Sequence, residues 1–500
     1  MIGIILAAGI GSRLRPMTNT KPKCLVTSAG KPILQYQIDG YIKAGIEELV
    51  IVVGYESDAI RNFCKHIKGV NIHIVDNHDY ETTNNMYSLY LVREYVKDQG
   101  FILNNADLTI DNTIIETLAG CDAPDAIAVD RSLYNEESMK LSVDDGGRVI
   151  DISKEVPEQQ SYGCSIDFYK FSPQASVTFF DEISRIIEAE KNLKDWTEVA
   201  MQRLMHNGAI DFQPCDISGK SWVEIDNYED LALSDRVFSG FDAALEEIDT
   251  ILLDLDGTVY VGSEMLPGAV DAINELKARG KKVYYLSNNS SKNKDDYVER
   301  LSAEGLALST DDIVLSTDGL VSYLKQNSVE SVHVLGTNSL KKILMDNGFR
   351  IDADKPEYVV LGYDTELSYP KLVTACRHIN DGVDILATHA DRFCPSEVGP
   401  IPDIGATIEL LAATTGKTPV KIFGKPDLEM VRPLLTRHGI DAASTLIVGD
   451  RLHTDIRMAA LSGCRGLLVL TGETSRDQLE TADTQPHFVL DDITQMALPH

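Results

Sequence analysis

Tryptophan is nearly absent, with two in 500 residues, and positive charge is scarce: 46 Lys and Arg against 77 Asp and Glu leave a net charge of −31. A field of that sign repels a polyphosphate backbone, which excludes nucleic acid as a general partner. No stretch approaches the ~20 consecutive apolar residues of a membrane span. The opening MIGIILAAGIGSRL also lacks the charged leader and small-residue cleavage site of a secretory signal. These absences predict a cytoplasmic chain with no membrane partner. No CxxC pair occurs among the eight cysteines, at 24, 64, 121, 164, 215, 376, 394 and 464, so zinc ribbons and dithiol exchange are not expected. A chain of this length needs no disulfide staples either. No low-complexity tract or internal repeat interrupts it, which excludes a solenoid.

What is present is ordinary globular composition, 43% apolar and 25% charged, in a length that corresponds to about three compact units. Short β-branched runs alternate with helical patterns at Ile2–Leu6, Leu49–Val53, Val70–Val75, Gly100–Asn104 and Ala126–Val129. The same grammar restarts at Thr250–Leu253 and recurs at Lys282–Leu286, Ile313–Ser316, Ser331–Leu335, Tyr358–Gly362, Ile385–Thr388, Ser444–Val448 and Gly466–Leu470. Strands spaced by helices imply βαβ crossovers and mostly parallel sheets. The expected class is therefore α/β, with two tandem doubly wound domains. The first spans residues 1–236, joined by a linker at 237–247 to a core made of 248–330 and 417–500, into which 331–416 is inserted as a cap.

The first strand runs directly into Leu6-Ala7-Ala8-Gly9-Ile10-Gly11-Ser12-Arg13-Leu14-Arg15-Pro16, followed by Lys21-Pro22-Lys23. Small residues there let main-chain N–H groups close on phosphate oxygens, and Arg13, Arg15, Lys21 and Lys23 concentrate positive charge in an acidic chain. Gly9-x-Gly11 alone also opens dinucleotide folds, but the third glycine of that fingerprint is Leu14 here. The whole string LAAGIGSRLRPMTNTKPKCL resembles the signature of the sugar-nucleotide type of nucleotidylyltransferase. That resemblance implies transfer of a nucleotidyl group to a phosphate monoester with loss of pyrophosphate, assisted by divalent metal. It also implies a catalytic role for Arg13 and Lys23 and phosphate contacts from Leu6, Ala7, Ala8, Gly9, Gly11 and Ser12. Asp107 in FILNNADLTI and Asp226 in SWVEIDNYEDL match the family's magnesium aspartates, although each alone also reads as a cap or turn residue.

Thr83-Asn-Asn-Met-Tyr-Ser-Leu-Tyr-Leu91 and Trp222-Val-Glu-Ile-Asp226 look like segments of the choline-phosphate cytidylyltransferase branch, which implies CTP as the nucleotide. On that analogy Asn85 and Ser88 touch base or ribose, while an Asn-rich cap on a helix starting at Met86 accounts for them equally well. Lys154 matches a lysine that holds the acceptor phosphate in relatives. A quaternary ammonium acceptor would want an aromatic cage, for which Tyr87, Tyr90, Tyr162, Trp196 and Trp222 are candidates. Phosphocholine, glycerol phosphate and aminoethylphosphonate stay open.

In the second half, Ile251-Leu-Leu-Asp254-Leu-Asp256-Gly257-Thr258 places two carboxylates just past an apolar strand, where ligands bind in such sheets. Asp254 is positioned to attack phosphorus, and Asp256 to protonate the leaving oxygen and later deprotonate water. Ser287 and Asn288 follow the next strand as donors to the phosphoryl oxygens. Lys425 in GKPD offsets the charge on Asp254, and Asp450 and Asp455 in GDRLHTD complete, with Asp254 and Asp256, a magnesium set. In this order and placement the segments resemble the haloacid dehalogenase superfamily. The insertion resembles the large α/β cap of its nitrophenyl-phosphatase-like branch, which closes over small phosphoesters. Relatives carry Asn-Pro-Asp where this chain has His389-Ala390-Asp391, so Asp391 is a candidate substrate contact and the leaving group is left open.

The expectation is a bifunctional magnesium enzyme, with CTP and a small phosphomonoester as partners and homo-oligomerisation open. Two alternatives remain: a sugar-1-phosphate transferase using UTP or dTTP, and a phosphatase whose first domain only senses nucleotide.

Overall fold

The computed structural model describes residues 1–96, 98–136, 138–394, 399–480 and 482–497. It divides into two compact units, Met1–Phe238 and Ser239–His500. The stretch expected as a linker is largely helical, with a helix at Phe241–Glu246.

The first unit is built on a nine-stranded sheet. Its strand Ile2–Ala7 alternates between two cores: Ile2, Ile4 and Leu6 pack into one cluster, Ile5 and Ala7 into the other. A strand covered on both faces needs an unbroken apolar run, and IGIILA supplies it. Glu48–Val53 and Phe101–Asn105 flank Ile2–Ala7, both parallel to it, and Asn71–Asp76 follows Glu48–Val53. The expectation of a mostly parallel sheet fails beyond Phe101–Asn105. There Gly163–Phe171 pairs antiparallel with Phe101–Asn105, Ala126–Asp130 and Lys140–Val143, and Val149–Ser153 closes that edge. At the outer edge the reason is local: Val143-Asp-Asp-Gly-Gly-Arg148 is a hairpin turn that folds Val149–Ser153 back on Lys140–Val143. Asp144 Oδ1 accepts from the N–H groups of Gly146 and Arg148, and Gly147 takes φ 80°.

The second unit carries a six-stranded sheet in the order Ile313–Leu315, Lys282–Ser287, Thr250–Asp254, Thr445–Gly449, Arg465–Val469, Phe488–Leu490, with every pair parallel. Numbered along the chain, this is the 3-2-1-4-5-6 doubly wound order. Its switch point, the crevice where ligands bind, lies between the carboxyl ends of Thr250–Asp254 and Thr445–Gly449. A separate five-stranded parallel sheet is inserted, in the order Arg350–Ile351, Ser331–Leu335, Tyr358–Leu361, Asp384–Ala387, Lys421–Ile422. Its last strand lies past residue 416 and leads straight into Gly424-Lys425. Residues 395–398 of the expected cap segment lie outside the described residues. Among the described residues no helix is long and apolar enough to cross a membrane.

Candidate functional site

At the carboxyl ends of Ile2–Ala7 and Phe101–Asn105, the first unit opens a cavity of about 670 Å³. Leu6, Ala8, Gly9 and Arg13 of the phosphate loop line it, as do Asn85, Ser88, Asp107, Lys154 and Asp226. Ala7 instead packs into the core below. Gly11 takes φ 66°, and a Cβ there would stand 2.7 Å from Lys23 Cβ, so glycine is what lets the loop lie against Lys23. Lys23 Nζ then donates to Asp107 Oδ2 and Asp226 Oδ1, each at 2.9 Å, and Arg13 pairs with Asp226 at 2.8 Å.

A third carboxylate joins them: Glu224, with Asp107 and Asp226, offers ligand atoms within 4.8 Å of one another. Burial, then Asp107 and Asp226, push Glu224 up to about 7. Asp226 moves the other way, since Lys23 and Arg13 outweigh its burial. Asp107 Oδ1 is buried with no hydrogen-bond partner among the described residues. A buried, unsatisfied carboxylate oxygen among three acids fits a divalent cation with oxygen ligands. Glu224 was legible in WVEID as a second acid two residues before Asp226, at the end of the strand Trp222–Glu224.

Asn84 caps the helix Asn85–Tyr90, and the Asn85 side chain accepts from Thr197 N at 3.0 Å. Ser88 Oγ accepts from Asn77 Nδ2 at 3.0 Å. The aromatic cage does not assemble. Tyr87 and Tyr90, three apart on one helix, stack on each other at 6.1 Å, with their hydroxyls on Asp79 and Glu188. Tyr162 faces the Arg131 guanidinium. Only Trp196 and Trp222 of the five line the cavity, and the Trp222 indole donates to Asp130.

In the second unit, Asp254 ends its strand at the switch point and is 6% exposed. Lys425 Nζ contacts Asp254 Oδ1 and lies 2.7 Å from Asp455 Oδ1. Asp254, Asp450 and Asp455 bring ligand atoms within 4.8 Å, and Asp450 Oδ1 is buried with no hydrogen-bond partner among the described residues. This trio too fits a divalent cation. Burial raises Asp254 to about 8 against the opposing pull of Lys425, and raises Asp450 to about 6. Burial works against the Lys425 ammonium, but Asp254 and Asp455 together hold its pKa above the ordinary value.

Asp256, expected among the metal ligands, is not in this trio. Its chain turns back at Gly257, at φ 94°, and Asp256 Oδ1 accepts from Gly262 N at 3.3 Å. Ser287 Oγ bonds the Tyr297 hydroxyl at 3.0 Å. Asn288 Oδ1 accepts from Lys425 N at 2.8 Å, and its Nδ2 donates to Asp391 Oδ2 at 3.2 Å. Arg451 also reaches Asp391 at 3.4 Å, and His389 stands 3.5 Å from it. Arg451 escaped the sequence reading because a lone Arg in GDRLHTD carries no spacing signal.

Residues 2–232 match the nucleotidyl transferase family. Residues 251–350 match the haloacid dehalogenase-like hydrolases, and 422–496 a related hydrolase model. The acid sugar phosphatase of Staphylococcus saprophyticus is 30% identical over 49% of this chain and 95% of its own length. The 5'-nucleotidase YutF of Bacillus subtilis is 29% identical over 49% and 95%. The crystal structure of a 4-nitrophenylphosphatase from Thermotoga maritima is 37% identical, covering 51% of this chain and 98% of that one, with a TM-score of 0.49. Through its second unit the chain belongs to the haloacid dehalogenase-like hydrolases. With the nucleotidyl transferase domain ahead of it, this is an enzyme of two kinds, transferase and phosphatase.

Proposed function

We propose that the first unit is a CTP-dependent cytidylyltransferase for a small phospho-alcohol and that the second is a phosphomonoesterase working through an aspartyl-phosphate, both with magnesium. The observation that carries this reading is the repeated pairing of a lysine with a carboxylate trio at a sheet's carboxyl edge. Magnesium, when bound by Asp107, Glu224 and Asp226 or by Asp254, Asp450 and Asp455, neutralises the crowded phosphate oxygens.

In the first cavity an acceptor phosphate oxygen attacks the α-phosphorus of CTP. The bond to the bridging oxygen breaks, giving a CDP-alcohol and pyrophosphate. Arg13 and Lys23 hold phosphate charge, Lys154 the acceptor phosphate, and Asn85 and Ser88 the nucleoside. CTP is favoured over UTP by the cytidylyltransferase-like segments around Asn85 and Trp222.

In the second unit the Asp254 carboxylate attacks phosphorus and the ester P–O bond breaks. The leaving oxygen takes a proton from Asp256, and water then hydrolyses the acyl-phosphate. Lys425 offsets the charge on Asp254, while Asp391, tied to Asn288 and Arg451, presents the cap to the leaving group. The test is to supply each of the four NTPs with a panel of phospho-alcohols and record product mass. A CDP-linked product formed only with CTP supports the reading; a UDP- or dTDP-sugar instead overturns the nucleotide and acceptor assignment.

A further inference from the structure

The wall of the first cavity holds a second set of acids that the transfer step above leaves unused. The strand Gly163–Phe171 slips register against Ala126–Asp130 between Ser165 and Tyr169. Asp167, inside that bulge at φ 55°, is turned to line the cavity, as bulges re-aim side chains. Glu198, 3% exposed, lines it too. The Tyr169 hydroxyl stands 2.8 Å from Asp167 Oδ1 and 2.7 Å from Glu198 Oε1. A phenol has one proton to give. Both contacts are therefore hydrogen bonds only when one of the two carboxyl groups carries a proton itself.

The surroundings agree. Burial raises both acids, and Glu198, Glu224 and Asp107 push Asp167 further, against Tyr169; for Glu198, Tyr169 and Lys154 oppose the burial. Lys154, the nearby cation, lies over the Trp196 ring at 5.3 Å and pairs with neither acid among the described residues. Two carboxyl groups on one cavity wall that share a single phenol proton want a cation that donates hydrogen bonds.

We propose that Asp167 and Glu198 receive a primary ammonium group of the acceptor, and that the acid pair gives up its shared proton as the ammonium arrives. The acceptor class is then an amino-alcohol phosphate or aminophosphonate. A trimethylammonium has no N–H to donate to these two acids, and of the five candidate cage aromatics only Trp196 and Trp222 line the cavity. This rests on the reading that the cavity seats the acceptor beside CTP.

The experiment uses the full chain with magnesium and CTP against phosphoethanolamine, phosphocholine and glycerol phosphate. Phosphoethanolamine is expected to give pyrophosphate with kcat/KM at least about tenfold above the other two, a discrimination of one lost hydrogen-bonded charge. Calorimetry in two buffers of different ionisation enthalpy then counts protons at neutral pH. One more proton is expected to be released for phosphoethanolamine than for glycerol phosphate, which shares its phosphate. By linkage its affinity rises about tenfold per pH unit while the empty pocket holds that proton. Glu198→Gln and Tyr169→Phe should erode the preference for phosphoethanolamine, with p-nitrophenyl phosphate hydrolysis by the second unit as the control for an intact chain. Equal or better turnover of glycerol phosphate or phosphocholine, or no extra proton, overturns the ammonium site alone. No pyrophosphate from any acceptor overturns the transferase reading beneath it.

Discussion

The two units solve the same electrostatic problem at different depths. Lys23 bridges Asp107 and Asp226, whose side chains keep 27% and 29% of their surface in water. Lys425 bridges Asp254 and Asp455, which keep 9% and none. A lysine in a half-open site can turn from its carboxylates to substrate phosphate, with water making up the difference. A cation sealed among carboxylates cannot leave without stranding them. The shallow centre suits a site that must admit a nucleotide and a second phosphate compound together, and the sealed one suits a nucleophile held ready under a cap.

That contrast can be broken most sharply at the nucleophile. Asp254→Asn should cut hydrolysis of p-nitrophenyl phosphate by at least about a thousandfold, because the acyl-phosphate cannot form, while pyrophosphate release by the first unit stays unchanged. Next in size is the pair of lysine replacements, followed by thermal or urea unfolding of each variant. Lys425→Met should cost about 3 kcal/mol or more, by leaving buried carboxylates unpaired. Lys23→Met should cost about 1 kcal/mol, because water reaches Asp107 and Asp226. Equal losses would erase the distinction of depth.

Two smaller effects sharpen the first centre. Glu224→Gln should raise the magnesium concentration for half-maximal pyrophosphate release by about tenfold or more, with phosphatase activity intact. Gly11→Ala forces a side chain into φ 66° against Lys23 Cβ and should destabilise the first unit by about 1–2 kcal/mol, read as a lowered melting midpoint.

Much of this is legible in the sequence. Strand runs such as IGIILA and TILLD declare themselves because a strand buried on both faces has to be apolar throughout, and the carboxylates at their ends follow from strand-end placement. The antiparallel edge was missed because Lys140–Val143 and Val149–Ser153 are short and half-polar, and because Gly163–Phe171, though nine residues long, is interrupted by a bulge; the hairpin turn Asp144–Gly147 was there to be read. Asp167 and Glu198 were invisible for a different reason. One depends on a bulge and the other on a helix packed against it, and neither leaves a spacing pattern. Asp256 was assigned to the metal from motif order alone, whereas the turn at Gly257 gives its side chain to Gly262.

The central claim is that one chain holds two centres that work independently, and one experiment addresses it directly. Wild type, Asp107→Asn and Asp254→Asn are each supplied with magnesium, CTP, the phospho-acceptor panel and p-nitrophenyl phosphate, and pyrophosphate and p-nitrophenol are recorded together. The account predicts that Asp107→Asn loses only pyrophosphate and Asp254→Asn only p-nitrophenol. Loss of both signals in either variant, or pyrophosphate that persists in Asp107→Asn, would contradict it.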